Sequence, residues 1–148
     1  MNFKIICVGK VKEKYLNNMI DIYVGKIRKS HNLELIQKDD EKIPKNASET
    51  EKKKVVSLES RRIAESIEKN DFVVALCISG KCCTTKEFAD VTKKAAEKGF
   101  NKITFLIGGS LGMSDELIEK ADFKLSFSRM TFPHQLMRVM LLDQIAKL

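Results

Sequence analysis

Five short apolar runs punctuate the chain, and each is followed by a segment with helical spacing. They cover residues 3–8, 33–37, 72–79, 102–107 and 123–127. Strands that alternate with helices leave few arrangements open. The strands lie mostly parallel, and the crossover helices cover both faces of the sheet. The predicted class is therefore α/β, in the order β-α-β-α-β-α-β-α-β-α. FVVALCIS at 72–79 is the strongest strand signal, and Gly80-Lys81 is expected to end it.

Helix signals fill the gaps. Residues 12–30 carry Tyr15, Met19, Ile22, Tyr23 and Ile27 at helical spacing. Residues 38–48 are charged and contain Pro44, which reads as an exposed loop. Ser48 with Glu51 forms a capping-box pattern opening a helix to about residue 69, and Thr84 with Glu87 opens another to about residue 98. Gly99 suits its C-terminal stop. Ser114 can cap a short helix whose first turn holds Asp115 and Glu116. Pro133 stands where a helix start tolerates it.

The last helical segment, 134–148, is apolar on several sides. Leu136, Val139 and Met140 form one stripe, Met137 and Leu141 a second, and Leu142, Ile145 and Ala146 widen it. A surface helix needs one apolar stripe. The excess points to a second copy of the chain and a twofold homodimer. A chance apolar patch is the alternative.

At 148 residues the chain fits one domain, 1–148. A hydrophobic share of 43% with 32% charged residues predicts a globular fold, not disorder. No apolar run approaches the roughly 20 residues that span a bilayer, and the N-terminus does not resemble a signal peptide. The expected location is cytoplasmic, with no membrane partner. Cys7 and Cys77 sit in apolar runs; Cys82 and Cys83 are adjacent, and no C-x-x-C occurs. Reduced, unligated thiols and no metal site are the expectation. The net charge of +7 is spread along the chain, with clusters at Lys10, Lys12 and Lys14, at Lys26, Arg28 and Lys29, and at Lys52, Lys53 and Lys54. A diffusely basic surface is compatible with an RNA partner.

Two loops, 108–112 and 126–131, follow strand-like runs and precede helix-like segments. Open α/β sheets bind ligands at the carboxyl ends of their strands. Gly108-Gly109-Ser110-Leu111-Gly112 is neither a Walker loop nor G-x-G-x-x-G. A tight turn without a ligand remains open for it. No G-x-S-x-G elbow is present. His31 lies at a helix end and is expected to be solvated. His134 and Arg138 lie one helical turn apart and can face a shared site. A reaction that needs no protein nucleophile fits this inventory. In methyl transfer from a sulfonium donor the protein mainly holds donor and acceptor in line, which is worth about 7–11 kcal/mol.

FLIGGSLGM followed by LSFSRMTFPHQLMRVMLLDQI resembles the SPOUT class of methyltransferases. The chain is most similar to the small single-domain family that methylates a pseudouridine of large-subunit (23S) ribosomal RNA at ring nitrogen three. IICVGKVKEKY near the N-terminus and the length agree. The resemblance implies a C-terminal trefoil knot, a homodimer, and S-adenosyl-L-methionine as methyl donor. The implied cofactor positions are Leu76, Gly108, Gly109, Phe127, Ser128, Arg129, Met130, Thr131 and Phe132. His134 and Arg138 fall where the family faces its RNA, and substrate positioning is the role implied for them. An assembled ribosome is the implied substrate surface. Family members continue past this helix into an aromatic and basic tail with a Tyr-His pair, whereas the sequence here ends at DQIAKL. Two other readings follow: a cofactor- or ribosome-binding module without turnover, and a methyltransferase acting on transfer RNA.

Overall fold

The computed structural model describes Met1–Leu148. Its elements are β1 (Asn2–Val8), α1 (Lys14–Ile27), β2 (Asn32–Lys38), α2 (Glu49–Ala64), β3 (Phe72–Cys82), α3 (Thr85–Glu97), β4 (Lys102–Ile107), α4 (Asp115–Glu119), β5 (Phe123–Ser126) and α5 (His134–Ala146). The five strands form one sheet in the order β2-β1-β4-β3-β5, and every pairing is parallel. The expected α/β class and element order are the ones observed.

The alternation of side chains along β1 builds two cores. Phe3, Ile5 and Cys7 face Ile27 of α1, Phe88 and Ala95 of α3, and Leu141, Leu142 and Ile145 of α5. Ile6 and Val8 face Ile63 of α2 with Met113 and Leu117 around α4. Helices α1, α3 and α5 therefore cover one face, and α2 and α4 the other. Both capping boxes form: Ser48 Oγ accepts from the Glu51 amide and Thr84 Oγ1 from the Glu87 amide, with each glutamate accepting in return.

Several sequence expectations change. Strand β3 does not stop at Gly80. It pairs with β5 through Leu76–Leu125, departs for four residues, and pairs again through Lys81–Leu125 and Cys82–Ser126. Gly80 allows this return, because a Cβ there would lie 2.7–2.8 Å from backbone atoms of Lys124 and Leu125. Helix α2 ends at Ala64, short of residue 69. Of the apolar residues spaced along α1, Ile27 is buried, whereas Tyr15, Met19 and Ile22 are exposed; Leu16 takes their place inside. Leu141, Leu142 and Ile145 are filled by the chain's own core, and α5 packs along α1. His31 is half-buried, edge-on to Phe3 at 5.2 Å between centroids.

A charge is buried at the amino-terminal edge of the sheet. Lys4, 1% exposed, donates to the Ser66 carbonyl at 2.9 Å and pairs with Asp71 at 3.3 Å and Glu68 at 3.4 Å. Asp71 also accepts from Thr104 Oγ1 at 2.8 Å and from the Glu68 amide at 2.9 Å. Satisfied hydrogen bonds are what make a buried ion pair tolerable. No helix is long and apolar enough to cross a membrane.

Candidate functional site

Three adjacent parallel strands, β4, β3 and β5, end on one edge of the sheet. Gly108 and Phe127 lie just beyond the ends of β4 and β5, and Leu76 is the last β3 residue to pair with β5 before the strand departs, so the fold brings together positions far apart in sequence. Leu76 is buried, and Phe127 is half-buried against the main core.

The glycine loop is tight. The Gly112 amide donates to the Gly109 carbonyl at 3.0 Å. A Cβ at Gly108 would stand 2.7 Å from Gly112 C and 2.8 Å from the Met113 side chain. Gly112 has φ +82°, a conformation glycine adopts without strain. The loop's own geometry therefore demands glycine at 108. A larger residue would reshape the loop before it met any ligand.

The segment from Phe127 to Phe132 is built differently. None of its six residues makes a backbone–backbone hydrogen bond. Ser126 Oγ donates to the Ser128 carbonyl at 2.9 Å, and Ser128 Oγ accepts from the Met130 amide at 2.9 Å. The remaining backbone donors and acceptors have no protein partner. Arg129, Met130 and Thr131 are exposed, Met130 at 78%; Ser128 and Phe132 are half-buried. Backbone polar groups must be paired with something, and this segment leaves them available at the sheet edge.

His134 and Arg138 sit beside the end of β1. Arg138, for which the family resemblance implied substrate positioning, is 4% exposed. Its Nη2 donates to the Val8 and Gly9 carbonyls, both at 2.7 Å, which ties α5 to the end of β1. Nε and Nη1 are buried without a partner. The Arg138 guanidinium thus lies under the surface and anchors α5 to the end of β1. His134 is half-buried. Burial and the Arg138 charge hold its pKa below the ordinary histidine range, and Asp40 opposes them. Burial and the arginine charge both favour the neutral ring.

Acidic residues face this corner from the other layer. Glu59 of α2 is buried, and Oε2 accepts from the Glu41 amide at 2.9 Å. Arg62 Nη2 pairs with Glu41 at 2.6 Å. Nothing in the sequence singled out Glu59, which lies in a charged helix. Its neighbour Ser60, whose Oγ accepts from the Ser114 amide at 2.8 Å, was equally invisible. A groove of about 1280 Å³ runs between α2 and α4 and borders the glycine loop at Leu111, Met113 and Ser114. It includes none of Leu76, Gly108 or residues 127–132. No group of three or more His, Cys, Asp or Glu side chains is placed to hold a metal, and all four cysteines are free thiols.

A parallel sheet with a glycine loop and an unpaired backbone segment on one carboxyl edge is an arrangement that can hold a small ligand. Sequence comparison makes the class specific. The family model described as "Predicted SPOUT methyltransferase" matches residues 1–147. The chain belongs to this SPOUT methyltransferase family and is a methyltransferase. Ribosomal RNA large subunit methyltransferase H of Clostridioides difficile (strain 630) is 47% identical over 145 residues, spanning 98% of this chain and 91% of that protein. The protein of the same name from Carboxydothermus hydrogenoformans is 48% identical over the same shares. A putative one from Methanococcus maripaludis is also 48% identical. Among solved structures, a probable methylase family protein from Haemophilus influenzae shares the fold with a TM-score of 0.51 at 13% identity, covering 98% of this chain and 65% of its own.

Proposed function

We propose that this methyltransferase transfers a methyl group from S-adenosylmethionine to ring nitrogen three of a pseudouridine in large-subunit ribosomal RNA, on the assembled ribosome and as a homodimer. Relatives named as ribosomal RNA large subunit methyltransferases, at 47–48% identity over 98% of the chain, support the RNA class. The observation that carries the cofactor assignment is the segment from Phe127 to Phe132, whose backbone groups bond to no other backbone. Such groups suit adenine and ribose, which offer both donors and acceptors. Leu76 supplies an apolar wall, and glycine at 108 and 109 lets the loop close on itself and on Glu59 beside that wall.

When bound, S-adenosylmethionine supplies an electrophilic methyl group on a positively charged sulfur. The chain's own residues then have to hold, orient and shield. Residues 127–132 hold the donor. Arg138 fixes the start of α5 against β1 through two carbonyls and so sets the position of His134. His134, whose neutral form is favoured, can donate or accept a hydrogen bond without carrying charge toward the cationic donor. The spread of Lys and Arg provides salt-sensitive attraction to RNA phosphates. The exposed stripe of Tyr15, Met19 and Ile22 on α1 is the apolar surface available to a second copy. The C-terminal trefoil knot belongs to the same proposal.

The test is methyl transfer with labelled donor to ribosomes from a strain lacking the modification, followed by mapping of the label. Label on one pseudouridine of large-subunit RNA is the expected result. Label in transfer RNA would favour the transfer-RNA reading, and binding without transfer would favour a non-catalytic module. Either would overturn the proposal.

A further inference from the structure

Glu59 holds an unused carboxylate oxygen at the edge of the site. The residue is 4% exposed. Its Oε2 accepts from the Glu41 amide at 2.9 Å. Its Oε1 lies against the glycine loop, 2.9 Å from where a Cβ on Gly109 would stand. Glycine at 109 is what lets the carboxylate come this close. Oε1 has no hydrogen-bond partner, yet it is not among the sealed, unpaired atoms of the interior, so it keeps access to solvent at the loop.

The Glu41 amide occupies only one of the two carboxylate oxygens. Burying a carboxylate is costly unless it is paired. The charged groups facing it are Asp40 and Glu41 from the segment after β2, and Arg62 one turn along α2. The glycine loop brings none. Burial is the largest influence, and it raises the affinity of Glu59 for a proton; the two acids add to it, while the Glu41 amide and Arg62 oppose it. Groups perturbed in this way concentrate at functional sites. The Asp40 charge acts on both Glu59 and His134.

We propose that Glu59 is the proton acceptor of the methyl transfer. Its Oε1 takes the hydrogen from the target ring N–H while that nitrogen forms its bond to the methyl carbon. The sulfur–methyl bond breaks, and its electron pair stays on sulfur as a neutral thioether. The carboxylate ends as a carboxylic acid and returns its proton to water. This role rests on the proposed reaction above.

Glu59→Gln preserves shape and keeps an oxygen that can accept from the Glu41 amide. Cofactor affinity by calorimetry, thermal stability, and single-turnover methylation of unmodified ribosomes are measured between about pH 5 and pH 9. The variant is expected to bind S-adenosylmethionine within about threefold of wild type and to methylate at least about 100-fold more slowly. The wild-type rate levels off above the pKa of the carboxyl group. The variant loses this plateau and instead rises with pH as the substrate ionises unaided. A variant with wild-type rate and profile would overturn the role, as would a rate loss matched by lost cofactor affinity or stability. Wild-type protein that leaves ribosomes unmethylated would overturn the proposed reaction itself. An active wild type beside an unimpaired variant would overturn only the role of Glu59.

Discussion

Replacing Gly80 by alanine tests the most unusual connection in the sheet. A Cβ at this position would approach Leu125 C at 2.7 Å, and Leu125 N and Lys124 C at 2.8 Å. All three are backbone atoms, so no flexible side-chain end can move aside. Overpacking of this kind costs about 1–3 kcal/mol. The loss of unfolded-state freedom on going from glycine to alanine returns about 0.4–1 kcal/mol. A net destabilisation of about 1–2 kcal/mol is expected. At about 2–4 °C for each kcal/mol, the melting temperature should fall by about 2–8 °C. The same strain pushes on β5, which leads straight into residues 127–132, so affinity for S-adenosylmethionine should fall as well. Gly25 is the internal control. It lies in α1, nothing stands within 4 Å of its added Cβ, and alanine there should stabilise by about 0.5–1 kcal/mol. Scanning calorimetry of both variants, with cofactor titration of Gly80→Ala, measures these effects. A Gly80→Ala protein as stable as Gly25→Ala would refute the tight crossing of β3 over β5.

Asp71→Ala strands the buried Lys4 ammonium, and denaturant unfolding should show a loss of about 3–5 kcal/mol. For the proposed homodimer, Ile22→Glu on the exposed α1 stripe should shift sedimentation from dimer to monomer with little change in protomer stability. Leu142→Glu, by contrast, places a charge in the protomer's own core and should unfold it. His134 should titrate below the ordinary histidine value in an NMR pH series. Because its folded pKa is depressed, the unfolded chain binds the proton more readily. The stability contribution of His134 is therefore complete above the unfolded pKa of about 6.5 and diminishes as the pH falls below it, a dependence that His134→Gln should abolish.

Local signals in the sequence carried over well. The pairs Ser48 with Glu51 and Thr84 with Glu87 act within one helical turn, so their capping boxes were legible without any tertiary knowledge. The order β2-β1-β4-β3-β5 was not, because neighbours in the sheet are chosen by long-range pairing. The continuation of β3 past Gly80 depends on Leu125 and Ser126, more than forty positions away. In α1, the residues at helical spacing included a stripe that faces outward, and apolar character alone cannot tell a core face from an exposed one. Leu76, Gly108 and residues 127–132 were singled out as cofactor positions only through family resemblance, and the sheet brings them toward one edge. Glu59, Asp71 and Lys4 were hidden for a shared reason: burial of a charged side chain is decided by partners from other elements. The burial of Arg138 was not legible either, since its ties to Val8 and Gly9 cross the whole sequence.

The central claim is that the methyl donor binds at the carboxyl edge of β3, β4 and β5. Titration of isotope-labelled protein with S-adenosylmethionine, followed through backbone amide shifts, tests it most directly. The largest shifts are expected at Phe127, Ser128, Arg129, Thr131 and Phe132, whose amides have no protein partner, with further shifts at Gly108 and Gly109. Absent shifts at millimolar cofactor, or shifts confined to the groove between α2 and α4, would contradict the account.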